Sequence, residues 1–331
     1  MVKRVSSIEV ARAANVSQST VSRALSGRGF VSLETRTKVL DAARQLGYQT
    51  NMLASALSSQ RSNIVAIIMG HLMNPFYPYV LERMTLQFHS TGRQTLLFVV
   101  DRDQQVDDTL PLVLRYQVDA IVITSATLSS QMSDRCASLG IPVVLFNRYV
   151  PGSQASVVCC DNVAGGRLVA ETLLDHGHHF PAYIAGDPDS STNRDRARGF
   201  CDVLKERGYD RCLQEQGAYT YESGYAAALK LLQGDDPPDA IFCANDIMGI
   251  GAIDAAREVG VAVPEELSII GFDDIPMASL PAYSLTTIRQ PVDAMIETTE
   301  KLLTRHLAKR RAKPEVKFLE PSLVVRGSAR V

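Results

Sequence analysis

From residue 63 onward the chain alternates short apolar runs with helix-length segments. The runs are IVAIIM (64–69), TLLFVV (95–100), DAIVITS (119–125), IPVVLF (141–146), AYIAG (182–186), DAIFCAN (239–245) and LSIIGFD (267–273). Short apolar runs bounded by turn formers read as buried strands. Strands separated by helical stretches such as PYVLERMTLQFHSTG (78–92) read as a doubly wound α/β architecture with parallel sheets, here in two similar halves.

The first sixty residues follow a helical period instead. Ser6-Ser7-Ile8-Glu9 offers a capping box, with Ser6 as N-cap and Glu9 three residues on, ahead of Val10, Ala11 and Ala14 on one face. Asn15-Val16-Ser17 breaks the pattern, and Ser17 caps a second helix whose Val21 and Leu25 point inward. A third helix starts at Ser32, with Leu33, Val39, Leu40, Ala43 and Leu46 predicted as its core face. Two short helices across a three-residue turn match helix-turn-helix geometry. The outward residues of the second, Gln18, Ser19, Ser22 and Arg23, are then candidates to read base edges, Gln facing adenine and Arg guanine. Thr20 and the Ser6-capped start of the first helix are candidates to hold phosphates. A small helical bundle that docks onto protein would show the same periodicity.

NMLASALSSQ (51–60) has Met52, Leu53, Ala56 and Leu57 at helical spacing but is too short to be stable alone in water. It predicts a helix that needs a partner.

Charge separates these regions. Residues 1–61 hold nine Lys/Arg against three Asp/Glu, while the rest holds twenty-five against thirty-three, so a net charge of −2 conceals a basic module on an acidic body. That asymmetry points to a polyanion contact confined to the N-terminal module. The start MVKRVSSIEV has no apolar targeting core and no run approaches the length of a membrane span, which predicts a cytoplasmic chain with no membrane contact. Six cysteines without CxxC spacing fit a reducing compartment better than a disulfide framework, and Cys159 and Cys160, adjacent on a strand, should face opposite sides.

Catalytic and metal chemistry find little support. The histidines of DHGHH (175–179) fall at a helix end capped by Gly177, and no P-loop, GxSxG or HExxH occurs. Asp246, Asp273 and Asp274 could do acid/base work, but nothing supplies a nucleophile with its base. No enzyme activity, cofactor or metal is predicted.

VARAANVSQSTVSRALSG, VSLETRTKVLDAARQLGYQTN and NMLASAL together resemble the headpiece of the LacI/GalR family of bacterial transcription repressors. The body carries landmarks similar to that family along its length: Asn74-Pro75-Phe76-Tyr77, Asp161-Asn162 with Gly165-Gly166, Gly177-His178, Cys243-Ala244-Asn245-Asp246, Gly271-Phe272-Asp273-Asp274 and Leu285 to Pro291. The resemblance implies an all-α helix-turn-helix domain at 1–50, a hinge helix and linker at 51–61, and a periplasmic-binding-protein-like effector and dimerisation domain at 62–331. Its N-subdomain would span about 62–160 and 292–320, and its C-subdomain about 161–291 and 321–331.

It further implies a homodimer on a palindromic operator. Gln18, Ser19 and Arg23 would lie on the recognition helix, and two hinge helices would fold together in the minor groove. Leu57 would wedge a base step, with Ala54 close to the groove floor and Asn51 near the backbone. Two departures from the family pattern, Thr50 where Pro is usual and Ser55 where Arg is common, predict a hinge that folds more reluctantly.

By family position a small polar effector, a sugar or sugar acid, would meet Phe76, Tyr77, Thr124, Asn147, Arg148, Arg196, Asn245, Asp246, Asp273 and Gln290, which sit beyond strand ends. Arg196 and Asp273 could grip vicinal hydroxyls or simply pair with each other across the lobes. Arg148 could bind an anionic group or be a solvated rim charge. A sugar sensor without a DNA role is the alternative reading, and no heptad tail supports a tetramer.

Overall fold

The computed structural model describes residues 5–26, 30–48, 61–100, 106–124, 130–209, 212–308 and 313–331. The hinge segment, with Asn51, Ala54 and Leu57, lies outside them. The chain divides into two compact units, Met1–Ser62 and Asn63–Val331.

The first unit holds α1 (Ser7–Ala13), α2 (Gln18–Ser26) and α3 (Leu33–Gln45). Its boundaries follow from local chemistry. Ser6 and Glu9 form a reciprocal capping box, Ser17 Oγ accepts from the Thr20 amide, and Ser32 caps α3 through the Thr35 amide. Val10, Ala11, Ala14, Val21, Ala24, Val39, Ala42 and Ala43 make the core. Three leucines expected there are outside it: Leu33 is 83% exposed, Leu40 43% and Leu46 39%. The buried stripe of α3 runs through Val39, Ala42 and Ala43, and Leu40 sits one position round the helix from it. Leu33 begins the helix and Leu46 caps it, where the face has not met or has already left the core. Val31 and Tyr48 pack against the core from either side of α3.

The second unit carries two six-stranded sheets. One has the order β11-β5-β4-β3-β1-β2 and pairs in parallel throughout. Its strands are β1 (Ile64–Met69), β2 (Gln94–Val99), β3 (Ala120–Ile123), β4 (Val143–Phe146), β5 (Ser156–Cys160) and β11 (Val316–Leu319). The other has the order β12-β10-β9-β8-β6-β7 and is parallel except for β12 against β10. It comprises β6 (Pro181–Ala185), β7 (Leu213–Gln216), β8 (Ala240–Cys243), β9 (Ser268–Asp273), β10 (Thr286–Arg289) and β12 (Ser322–Val324). The near-continuous apolar character of β1, β3, β8 and β9 is what burial on both faces demands.

Helices α4 (Phe76–Ser90), α5 (Val106–Arg115), α6 (Ser130–Ser138) and α11 (Val292–Ala308) belong with the first sheet. Helices α7 (Asn162–Asp175), α8 (Ser191–Glu206), α9 (Tyr221–Leu232) and α10 (Asp246–Glu258) belong with the second. Among the described residues the main chain passes between the sheets at three places: 160–162, 289–292 and 319–322. These lie side by side, because β5 neighbours β11 in one sheet and β10 neighbours β12 in the other. Five strands had no counterpart in the apolar pattern, among them the exposed edge strand β7 (LQEQ) and β11 (VKFL), whose polar positions hide their extended character.

Cys159 and Cys160 face opposite sides of their sheet, one in each hydrophobic cluster. The cysteines are not all unpaired, however: Cys201 and Cys212 form a disulfide, with Cα atoms 5.5 Å apart. No helix among the described residues is long and apolar enough to cross a membrane.

Candidate functional site

In the helical unit, Gln18, Ser19, Ser22 and Arg23 are all exposed on α2, and Thr20 is half-buried. The N-terminal end of α2 is organised by hydroxyls: Ser17 Oγ lies 2.8 Å from both Ser19 Oγ and Thr20 Oγ1. Gln18 Nε2 donates to Ser7 Oγ at 3.0 Å, and Arg23 Nε donates to the Ser19 carbonyl at 3.3 Å. Both bonds join exposed groups that water can also satisfy, so the side chains can leave them for a better partner at little cost. Ser6 is used locally, in the α1 capping box.

In the second unit, side chains from both lobes meet beyond the carboxyl ends of the parallel strands. A small cavity there is lined by Asn74, Phe76, Tyr77, Asn147, Arg148, Thr192, Arg196, Tyr219 and Asp273. It holds about 10 Å³, room for one water-sized body. Asn147, Tyr219, Asp273 and the adjacent Asp274 all have positive φ (70°, 59°, 119° and 57°). Backbone strain in non-glycine residues gathers where side-chain placement matters more than local comfort.

Arg196 anchors the C-terminal half of this site. It is 2% exposed, and its guanidinium lies 3.6 Å from the centre of the Phe272 ring. Nε donates to Asn162 Oδ1 at 2.8 Å, Nη1 donates to the Ala244 carbonyl, and Nη2 faces Asp273 Oδ1 at 3.4 Å. Gln290 Nε2 donates to the same Asp273 oxygen at 2.7 Å. Among the described residues nothing hydrogen-bonds Asp273 Oδ2. Burial pushes the Asp273 carboxyl up to about 6, against the opposing pull of Arg196, the Gln290 hydrogen bond and Arg148.

On the facing lobe, Asn147 Nδ2 approaches the Tyr77 hydroxyl at 3.5 Å. Arg148, 8% exposed, lies 5.7 Å from the Tyr219 ring centre. It is a cavity wall rather than a solvated rim charge.

Six of the ten residues expected at the effector site, Phe76, Tyr77, Asn147, Arg148, Arg196 and Asp273, line this cavity. The other four do not, and each has a different task. Thr124 is buried beside β1, with its hydroxyl 3.5 Å from the Ile68 carbonyl. Asn245 caps α10 through the Met248 amide. Asp246 accepts from Thr287 Oγ1 and the Ile275 amide, and burial raises its carboxyl well above the usual carboxylate range. Gln290 acts through Asp273. Asn74, Thr192 and Tyr219 complete the wall and were not anticipated. Thr192 stands one helical turn before Arg196, so i, i+4 spacing would have found it. Asn74 belongs to the Asn-Pro-Phe-Tyr stretch already singled out, and nothing in the sequence marks Tyr219.

The family model for bacterial regulatory proteins of the lacI family matches residues 8–51, and that for a periplasmic binding protein-like domain matches residues 170–329. The HTH-type transcriptional regulator DegA of Bacillus subtilis (strain 168) is 36% identical over 327 residues, covering 97% of this chain and 96% of its own. The chain belongs to the LacI family. CelR of Thermobifida fusca, another HTH-type transcriptional regulator of similar length, is 31% identical over 328 residues. The solved CelR–cellobiose complex superimposes with a TM-score of 0.74 over 98% of this chain and all of the other. The lac repressor dimer bound to operator and the anti-inducer ONPF, 25% identical, gives 0.88 over 98% and 99%. This LacI-family protein is a DNA-binding transcriptional regulator and not an enzyme.

Proposed function

We propose that this LacI-family regulator represses transcription in the cytoplasm, at the nucleoid, as a homodimer on a palindromic operator, and that a small polar effector sets its operator affinity. Residues 1–50 would read DNA through Gln18, Ser19, Ser22 and Arg23, with Ser6 and Thr20 on phosphates. Residues 51–61 would form the hinge, with Asn51, Ala54 and Leu57 at the minor groove. Residues 62–331 would bind effector and partner.

The observation that carries the effector reading is the convergence of polar groups from both lobes on one gap. Asp273 Oδ2 is an open acceptor beside the Arg196 fork, and Asn147 Oδ1 is buried with no partner among the described residues. A buried acceptor without a partner is costly, so a ligand hydroxyl would relieve Asn147 Oδ1, and a second could donate to Asp273 Oδ2. Phe76 supplies an apolar wall for the carbon face of a sugar ring, and the cellobiose held by CelR supports that ligand class. The enclosed gap is smaller than a sugar, while a wider cavity of about 470 Å³ adjoins it at Asp273 and Gln290. Seating a sugar against Asn147 and Arg148 would then require the lobes to part and close on it, which would couple occupancy to the hinge by reciprocal linkage.

Two measurements test this. Gel shifts against DNA upstream of its own gene should show salt-sensitive, sequence-specific binding, with log affinity falling linearly with log salt. A thermal-shift screen of sugars, sugar acids and nucleobases should identify a stabilising ligand. Ligand binding without any specific DNA complex would favour the sensor reading.

A further inference from the structure

Cys201 and Cys212 differ from the other cysteines in a way that the effector mechanism does not use. Cys136, Cys159, Cys160 and Cys243 are fully buried. Desolvation pushes the Cys136 thiol up to about 11 and the Cys160 thiol up to about 12, and raises Cys159 and Cys243 as well, so thiolate chemistry at these four is suppressed. Cys201 and Cys212 are partly exposed, with Cα atoms 5.5 Å apart, well inside disulfide range. Gln214 Nε2 reaches both sulfurs, at 3.2 Å and 3.6 Å, an amide donor placed where a thiolate would form.

The location of the pair gives the bond a consequence. Cys201 is on α8, the helix that carries Thr192 and Arg196. Cys212 immediately precedes β7, an edge strand paired only with β6, which leads through Gly217 to Tyr219. At the cleft end the same two segments are tied again, because the Tyr219 hydroxyl lies 3.1 Å from Ser190 Oγ and 3.0 Å from Thr192 Oγ1. The disulfide therefore closes a ring: along α8 from the cleft, across the sulfurs, and back along β7 to the cleft wall. Without it, β7 is held by its β6 ladder, the hydroxyl contacts and exposed side-chain pairs such as Lys230–Glu215.

We infer that Cys201 and Cys212 are a reversible oxidation site, a dithiol that a small-molecule disulfide closes and that tightens the Tyr219 wall of the cleft when closed. The Cys201 thiolate attacks one sulfur of oxidised glutathione, breaking its S–S bond and releasing one glutathione thiolate. The Cys212 thiolate then attacks the Cys201 sulfur of the mixed disulfide and releases the second. The two protein thiols lose two protons and two electrons, and one oxidised glutathione becomes two reduced ones. The effect on effector binding rests on the cleft reading above, whereas the bond and its effect on β7 do not.

The test uses the full chain, reduced with dithiothreitol and then equilibrated with oxidised glutathione. Six titratable thiols in denaturant should fall to four and return to six on reduction. Peptide mapping should find Cys201 joined to Cys212, and C201S should form no intramolecular bond. Hydrogen exchange in 213–219 should slow by about tenfold in the oxidised form, while β1 and β3 are unchanged. Six thiols after oxidation, a stable glutathione adduct, or a bond to another cysteine would overturn the site. A Cys201–Cys212 bond that leaves exchange in 213–219 unaltered would overturn the tightening. Because wild-type protein is compared with itself, neither result depends on a variant folding or on an effector being known.

Discussion

Replacing Arg196 by Met tests the reading of the cleft as a charged network inside the fold. The substitution keeps an unbranched stem over Phe272 and removes the guanidinium. It strips hydrogen bonds from Asn162 Oδ1 and the Ala244 carbonyl and takes from Asp273 the cation paired with it, leaving the weaker pull of Arg148. Breaking a buried ion pair by removing one partner costs about 3–5 kcal/mol, because the remaining charge stays buried and uncompensated. A lobe of this size should lose roughly 10 °C of melting temperature for that amount.

The pH dependence distinguishes the cause. Asp273 is raised in the fold from 3.8 to about 6, so ionising it there costs stability. That cost is absent below the unfolded value, grows as pH rises toward 6, and is complete above it. Arg196 lowers the folded value, so without it the carboxyl should hold its proton to higher pH. The difference between wild type and R196M, from urea midpoints, should therefore be largest near pH 8. It should shrink by about 1–2 kcal/mol near pH 5, where a neutral carboxyl no longer needs the cation. A loss below about 1 kcal/mol at pH 8, or one independent of pH, would refute the assignment of Arg196 as the compensating charge.

Effector affinity should fall as pH drops through 6, by about tenfold at pH 5 if ionised Asp273 accepts from the ligand, and calorimetry with whichever sugar the screen identifies would show a flat profile if it does not. Gly199→Ala should cost at least about 2 kcal/mol in chemical denaturation, because a Cβ there would lie 2.1 Å from the Val163 carbonyl oxygen where α7 and α8 touch; a neutral result would mean the helices can separate freely. Arg23→Ala should weaken specific operator binding by about 1–3 kcal/mol while sparing non-specific binding, and equal losses on both DNAs would move Arg23 from base reading to phosphate contact. Leu57→Ala should reduce operator affinity by a few kcal/mol at most and leave the melting shift from effector intact; unchanged operator affinity would remove the wedge role.

What could be read from the chain depended on how local its cause was. The capping box at Ser6 and Glu9 and the turn at Ser17 are decided within four residues, and they stand where the pattern predicts. The buried parallel strands announce themselves because both faces must be apolar. Proximity to a strand end, by contrast, did not say where a side chain would be used. Asn245 and Asp246 follow β8 as expected, yet one caps a helix and the other braces β9 and β10. Tyr219 was invisible because its position depends on β7, whose Leu-Gln-Glu-Gln has no apolar signature. Cys201 and Cys212 meet only because α8 ends and the chain turns back, so their spacing alone carried no message.

The three adjacent passages between the sheets have a mechanical consequence. Two bodies joined by a single tether can swivel in every direction, whereas three neighbouring tethers suppress twist and leave essentially one bending mode, like a door on its frame. Gln290 sits on one of those tethers and its amide holds Asp273 at 2.7 Å. A molecule that pulls on the Asp273 carboxylate therefore pulls on the door post itself, and the direction in which the lobes can respond is already chosen by the chain.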